Sequence, residues 1–261
     1  MNRIEKKFKE LKKQNKKAFI AFITAGYPDL FTTAGLIREF SKAGVDIIEL
    51  GVPFSDPLAD GAIIQESSQH ALRKDINLDK IFNLVKLARK NTDTPICLMS
   101  YYNPIFCFGE ERFVKKAFCS GVDGVIIPDL PADEGNKLKS VAGKSGLDII
   151  FFLAPTSSPE RIKYVAKNAN GFIYYVSLTG VTGSRKELPK DFIRQVKLIK
   201  RYTDKPVCLG FGVSTPRQIR QINKTADGVI VGSAIVRKIK ENIKRPDLIK
   251  RVTDFVKTLK G

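Results

Sequence analysis

The chain has one histidine, no tryptophan, two methionines and four cysteines in 261 residues. A single His, His70, and no clustered Cys argue against a zinc or haem site. They also remove the commonest general base, so any acid–base chemistry falls to carboxylates, Lys or Tyr. His70 lies in a helical stretch, 64–74, and reads as a surface or helix-packing residue. Cys97, Cys107, Cys119 and Cys208 show no CxxC spacing, and two of them sit in strand-like runs. That fits reduced thiols used as small apolar residues in a cytosol, or equally in a plastid stroma. No apolar run approaches the ~20 residues of a membrane span. The opening Met-Asn-Arg-Ile-Glu-Lys-Lys has no apolar stretch behind its charges, so no secretory signal is expected. No linker or low-complexity segment interrupts the chain, and the expectation is one domain over residues 1–261.

The net charge of +18 raises the question of a nucleic-acid partner, and its distribution answers it. Residues 1–17 hold eight Lys/Arg against two Glu, and residues 236–261 hold nine against three acids. Both segments carry helical apolar spacing, Ile4, Phe8 and Leu11 in one and Leu248, Val252, Phe255, Val256 and Leu259 in the other. They read as amphipathic helices with lysine-rich solvated faces. No zinc-finger, RNA-recognition or helix-turn-helix pattern accompanies them, so a basic adaptor for nucleic acid is the lesser reading.

Eight short apolar or aromatic runs recur along the chain: 18–24, 46–50, 96–101, 124–127, 148–153, 171–176, 207–210 and 228–231. Helical patterns separate them, near 30–43, 78–90, 110–119, 132–145, 159–168, 189–202 and 215–224, and two more, 234–241 and 246–259, close the chain. Ser158-Pro159 and Thr215-Pro216 set a capping residue before a first-turn proline. Glu110-Glu111 and Asp133-Glu134 supply acids at helix starts. Strand–helix alternation predicts a parallel sheet covered on both faces, and eight units in about 250 residues predict an α/β fold, a (β/α)8 TIM barrel. A helix over 2–14 is expected across the barrel's N-terminal end. A doubly wound open sheet is the alternative, but no G-x-G-x-x-G follows the first strand.

In such a barrel, chemistry sits where strands end. Glu49 closes an apolar run, where a lone charge costs several kcal/mol unless it is neutral or partnered. Asp60 ends the Gly/Pro-rich loop that follows. Two carboxyls in unlike surroundings suit acid–base work at neutral pH. Taken alone, the stretch fits that reading and a plainer one equally, the plainer being a strand-end Glu paired with a Lys or Arg and an Asp capping the next helix. Gly210-Phe211-Gly212 and Gly232-Ser233 follow the last two strands, where backbone N–H groups at a helix start cradle phosphate. Residues 180–184, followed by Arg185 and Lys186, read as a lid or an ordinary loop.

The chain resembles the α chain of tryptophan synthase along essentially its whole length. The matching motifs are Phe22-Ile23-Thr24-Ala25-Gly26-Tyr27-Pro28, Glu49-Leu50-Gly51-Val52-Pro53-Phe54-Ser55-Asp56-Pro57-Leu58-Ala59-Asp60-Gly61, Tyr101-Tyr102-Asn103-Pro104, Gly180-Val181-Thr182-Gly183, Gly210-Phe211-Gly212-Val213-Ser214 and Gly232-Ser233-Ala234. The resemblance implies retro-aldol cleavage of indole-3-glycerol phosphate to indole and glyceraldehyde 3-phosphate. It implies Glu49, Asp60 and Tyr174 as catalytic residues. Phe22, Met99, Tyr101 and Ile126 are implied around the indole, and Thr182, Gly183, Gly210, Phe211, Gly212, Gly232 and Ser233 around the phosphate and lid. No metal is implied and no cofactor in this chain. Pyridoxal phosphate is expected in a partner β chain of an α2β2 complex, met through Pro53, Asp56, Pro57, Asn103, Phe106, Asp129 and Pro131.

The sequence departs from the family pattern at Ala62, where proline is usual, and in its lysine-rich termini, unlike those of an acidic or neutral homologue. Residues 177–179 vary within the family. The absence of tryptophan fits an enzyme of tryptophan synthesis. The rival within the same class is another phosphate-binding barrel, which often uses a His or Lys at a strand end; no His stands at one here, and the strand-end carboxylate is Glu49.

Overall fold

The computed structural model describes residues 2–176, 191–210 and 212–261. Its strands are β1 (Ala18–Thr24), β2 (Ile47–Gly51), β3 (Ile96–Met99), β4 (Gly124–Ile126), β5 (Asp148–Ile150), β6 (Phe152–Leu153), β7 (Ile173–Val176), β8 (Val207–Gly210) and β9 (Gly228–Val231). All ladders are parallel, in the order β5-β4-β3-β2-β1-β9-β8-β7-β6. The two ends of that order are neighbours in sequence. The single run anticipated over 148–153 is broken only at Phe151, whose carbonyl still accepts the Tyr174 N–H at 3.0 Å. The sheet therefore curls round until its ends meet in one stretch of chain, as a (β/α)8 barrel does. Residues of β1, β2, β3, β4, β8 and β9 are buried throughout, which is why their sequences are continuously apolar.

The helices are α1 (Arg3–Lys13), α2 (Leu30–Lys42), α3 (Ala62–Leu72), α4 (Leu78–Ala88), α5 (Tyr102–Phe108), α6 (Glu110–Ser120), α7 (Asn136–Ser145), α8 (Pro159–Asn168), α9 (Phe192–Lys200), α10 (Pro216–Asn223), α11 (Ser233–Asn242) and α12 (Leu248–Lys260). Ser158 caps α8 by accepting the Arg161 N–H at 3.2 Å, and Thr215 and Gln218 form a reciprocal capping box on α10. Two expectations need correction. Asp133 and Glu134 do not open a helix, because the Glu134 and Gly135 N–H groups both return to the Pro131 carbonyl in a separate turn and α7 starts only at Asn136. The other is that no helical pattern is expected between 96–101 and 110–119, whereas Asn103-Pro104 lies in the first turn of α5, where the N–H that proline lacks has no helical acceptor to miss.

The barrel's N-terminal end is closed by α1. Its buried face is Ile4, Phe8 and Leu11. The Asn2 amide donates to the carbonyls of Asp123 (2.7 Å) and Gly146 (3.0 Å), and Phe8 packs on Phe172 at 5.8 Å between ring centroids. Gly124 makes this docking possible, since a Cβ there would stand 3.0 Å from the tip of Ile4 and 2.8 Å from Ile150. No helix among the described residues is long and apolar enough to cross a membrane.

At this same end, aspartates just ahead of strands hold the start of a neighbouring strand. Asp46 accepts the Phe19 N–H (2.9 Å), Asp123 the Ile96 N–H (2.8 Å) and Asp227 the Val207 N–H (3.0 Å). Asp123 is further held by Arg89 at 2.6 Å and Arg3 at 3.1 Å. Asp148 is different. Its Oδ2 is buried with no hydrogen-bond partner. Burial first, then the charges of Asp123 and Glu5, push its carboxyl up to about 7.

That shift fixes a pH dependence. Between about pH 4 and 7 the folded chain keeps a proton on Asp148 that the unfolded chain releases, so stability falls as pH rises through this window and stays lowered above it. Asp148→Asn is expected to raise the melting temperature at pH 8 by about 5 °C, with the gain shrinking toward pH 4. Melting curves with equal gains at both pH values would show that ionisation of Asp148 is not the cause.

Candidate active site

At the opposite end of the barrel, β1, β2, β3, β7 and β9 each send one side chain into a common cavity. These are Phe22, Glu49, Met99, Tyr174 and Ile230, joined by Ala59, Asp60 and Gly61 from the loop after β2, Ile64 from the first turn of α3, and Gly212, Gly232 and Ser233. Phe22 is the register partner of Glu49 across β1 and β2, and Glu49 of Cys97 across β2 and β3. Paired residues of parallel strands face the same side, so Glu49 stands in a wall of apolar groups.

Glu49 is 1% exposed, and neither carboxyl oxygen has a hydrogen-bond partner. Burial, and secondarily the negative charge of Asp60, push it up to about 8. Its stable form at neutral pH is the acid, which explains how it is tolerated among aliphatics. Asp60 is 7% exposed, and burial lifts it only to about 6, because the Tyr101 phenol donates to it. The same phenol oxygen accepts the Ala59 N–H at 2.8 Å, and its ring lies 5.3 Å from that of Phe54. At pH 7 one carboxyl is protonated and the other ionised, side by side in one cavity. Burial, and the charges of Glu49 and Asp60, raise the Tyr174 phenol well above its ordinary range, so it stays neutral.

Several residues singled out in the sequence meet here: Glu49, Asp60, Tyr174, Phe22, Met99, Gly212, Gly232 and Ser233. Ser233 opens α11, and the Ile235 and Val236 N–H groups return to the Gly232 carbonyl. Others lie elsewhere. Tyr101 acts on Asp60 from outside the cavity lining, and Ile126 is buried in β4 without reaching it. Gly210 also lies off the lining; its lack of a side chain is needed because a Cβ would sit 2.6 Å from the Tyr174 ring and hydroxyl. Thr182, Gly183, Phe211 and the loop 180–184 fall outside the described residues. Sequence reasoning missed Ile64, Ile230, Ala59 and Gly61. For Ile64 a signal existed, since it stands one turn into the helix that opens directly after Asp60.

The residues named for a partner follow β2, β3 and β4 on this same end. Asp56, Asn103, Phe106 and Asp129 are exposed, Pro57 and Pro131 half-buried and Pro53 buried. Asp129 accepts the Tyr102 N–H at 2.9 Å, and Leu58 and Phe106 are 85% and 64% exposed beside them.

A parallel (β/α)8 barrel with two carboxyls of split acidity at its C-terminal mouth defines an acid–base enzyme of the barrel class. Comparison with known proteins narrows this. The family profile described as tryptophan synthase alpha chain matches residues 8–260. The chain is 50% identical over 261 residues to the tryptophan synthase alpha chain of Geotalea uraniireducens, covering 100% of this chain and 97% of that one. It is 47% identical to that of Caldanaerobacter subterraneus subsp. tengcongensis, covering 100% and 99%. Among solved structures, the tryptophan synthase alpha subunit of Legionella pneumophila superposes with a TM-score of 0.92 at 36% identity, covering 100% and 98% of the two chains. A chain from the α2β2 tryptophan synthase complex of Pyrococcus furiosus gives 0.87 at 39% identity, covering 94% and 98%. The chain belongs to the tryptophan synthase alpha chain family and is, like its members, a lyase.

The Tyr101 contact can be read directly. Carboxyl titration of Asp60 by carbon-detected NMR is expected to give a midpoint near 6, and Tyr101→Phe to move it upward by removing the donor that favours the anion. An unchanged or lower midpoint in Tyr101→Phe would remove the phenol from the control of Asp60.

Proposed function

We propose that Glu49 and Asp60 carry the family's reaction in this chain, the retro-aldol cleavage of indole-3-glycerol phosphate to indole and glyceraldehyde 3-phosphate. The observation that supports this best is the split pair: a neutral Glu49 pushed up to about 8 and an ionised Asp60 at about 6, facing one cavity. In this reading Asp60 accepts the indole N–H and stabilises the positive charge that develops on nitrogen when C3 is protonated. Glu49 gives its proton to C3 and takes one from the glycerol hydroxyl as the C3–side-chain bond breaks and the aldehyde forms. The two transfers balance, so no net acid or base is consumed. Acid–base groups suffice for this bond cleavage, and we place no cofactor in this chain.

Phe22, Ile64, Met99 and Ile230 supply the apolar walls for the indole, and the neutral Tyr174 lies beside both carboxyls. The phosphate is assigned to Gly212, Gly232 and the N–H groups at Ser233, at the positive end of α11. We further infer one domain acting in the cytoplasm. It would pair with a β chain that carries pyridoxal phosphate, in an α2β2 assembly like that of Pyrococcus furiosus. Exposed Leu58 and Phe106 support contact on the face of the cavity mouth.

Glu49→Gln and Asp60→Asn are each expected to abolish indole release from indole-3-glycerol phosphate, a loss of at least ~10³-fold. Wild-type kcat/KM is expected to be bell-shaped in pH. Activity falls below about 6 as Asp60 gains a proton, and above about 8 as Glu49 loses its own. A flat profile from pH 5 to 9 would contradict the two roles. Ser233→Asp puts a carboxylate where the phosphate is assigned and suits a helix start. It is expected to raise KM for the ester about tenfold or more while free indole still inhibits as in wild type. An unaltered KM would move the phosphate elsewhere.

A further inference from the structure

Asp60 sits at the end of a segment with few anchors. After the Val52 N–H, which donates to the Met99 carbonyl, residues 53–58 make no backbone–backbone hydrogen bond among the described residues, and within that set the Ser55 hydroxyl bonds to the Asp56 carboxylate. Asp56 and Leu58 are exposed. Two contacts regain the chain at the far end. One is the Tyr101 phenol, which holds the Ala59 N–H at 2.8 Å and the Asp60 carboxylate. The other is Gln65, whose side-chain amide donates to the Asp60 main-chain carbonyl at 2.8 Å.

The second contact is not helix capping of the usual kind. α3 has Gly61 as its N-cap, with no side-chain cap, and the N–H groups of Ile64 and Gln65 both go to the Gly61 carbonyl. The Asp60 carbonyl lies one residue outside the helix, in a residue 7% exposed, and the Gln65 amide is the hydrogen bond it has. Tyr101 holds the chain just before Asp60, at the Ala59 N–H, and Gln65 holds it just after, at the Asp60 carbonyl. Rotation of the backbone between these two points would turn the carboxylate away from the phenol.

We propose that Gln65 is a positioning residue for Asp60, holding its main chain so that the carboxylate stays against Tyr101 and faces the substrate. This deepens the catalytic reading and rests on it. Gln65 itself lies outside the cavity lining, so its loss should spare ground-state binding and slow turnover.

The test is steady-state indole release by Gln65→Glu, Gln65→Leu, Tyr101→Phe and the double variants, with melting curves for each. Gln65→Glu keeps the length of the side chain but cannot donate, so both Gln65 variants are expected to lose about tenfold or more in kcat with KM changed less than twofold. Combined with Tyr101→Phe, either should cost less than the product of the two single losses, because both act through one group. Full activity in Gln65→Glu and Gln65→Leu, or losses that multiply with that of Tyr101→Phe, would overturn the proposal. Asp60→Asn separates the two levels: if it is inactive while Gln65→Glu is fully active, only the positioning role fails, and if it is active, the catalytic reading fails as well.

Discussion

A carboxyl with no hydrogen-bond partner on the inner wall of a parallel barrel cannot be an ordinary anion. Glu49 has Phe22 beside it in register, shares the cavity with Met99 and Ile230, and has no hydrogen-bond partner for either oxygen among the described residues. Stability alone would favour an apolar residue there, since a buried polar group without a partner costs free energy in any protonation state. What the position provides is a proton held at the pH where cells work. The closed sheet is what makes this possible, for only a barrel interior presents so many strand-end side chains to one point while excluding water from the wall.

Asp60 shows the opposite use of the same principle. It is nearly as buried as Glu49, yet one phenol hydrogen bond keeps it closer to an ordinary carboxylate. Glu49 is the more deeply buried and feels the charge of Asp60, while Asp60 alone has a hydrogen-bond donor, and these three differences together separate acid from base in this pair. The donor comes from Tyr101, just past the end of β3, and β3 is also hydrogen-bonded to β2, which carries Glu49. Both carboxyls are thus referenced to the same strand, although the loop between them reaches solvent.

The barrel and its carboxyl pair were readable in the chain because each is an exception to a local rule. Eight apolar runs alternating with helical patterns admit few folds, and a Glu closing such a run needs either an ion-pair partner or a proton, a choice the neighbouring motifs decide. Apolar lining residues carry no such mark. Ile64 and Ile230 look like any other core residue until closure brings α3 and β9 to the same cavity. Gly210 appeared to belong to an anion cradle, whereas the ring of Tyr174 accounts for the missing side chain. The break at Phe151 and the helix at Tyr102–Phe108 were hidden because neither alters the hydrophobic period. Asp133 and Glu134 misled, since acids that precede a helix and acids that open one read alike until the turn at Pro131 is seen.

The two ends of the barrel divide the work by how each satisfies its polar groups. At the N-terminal end, Asp46, Asp123 and Asp227 each close a strand start with a backbone N–H, and α1 covers the opening with Ile4 over Gly124. Those bonds fix where strands begin relative to one another, and hence how far around the ring each strand's other end stands from its neighbours. At the C-terminal end the side chains that matter are left partly unsatisfied. Glu49 has no donor, Asp60 has the Tyr101 phenol, and residues 53–58 between them make no backbone–backbone bond among the described residues. Precision at that end must therefore be inherited from register set at the other, plus the few contacts that tie the loop back. A protein built this way can vary the parts of its mouth loops that carry no site residue, but a shift of the strand starts would move Glu49 relative to Asp60.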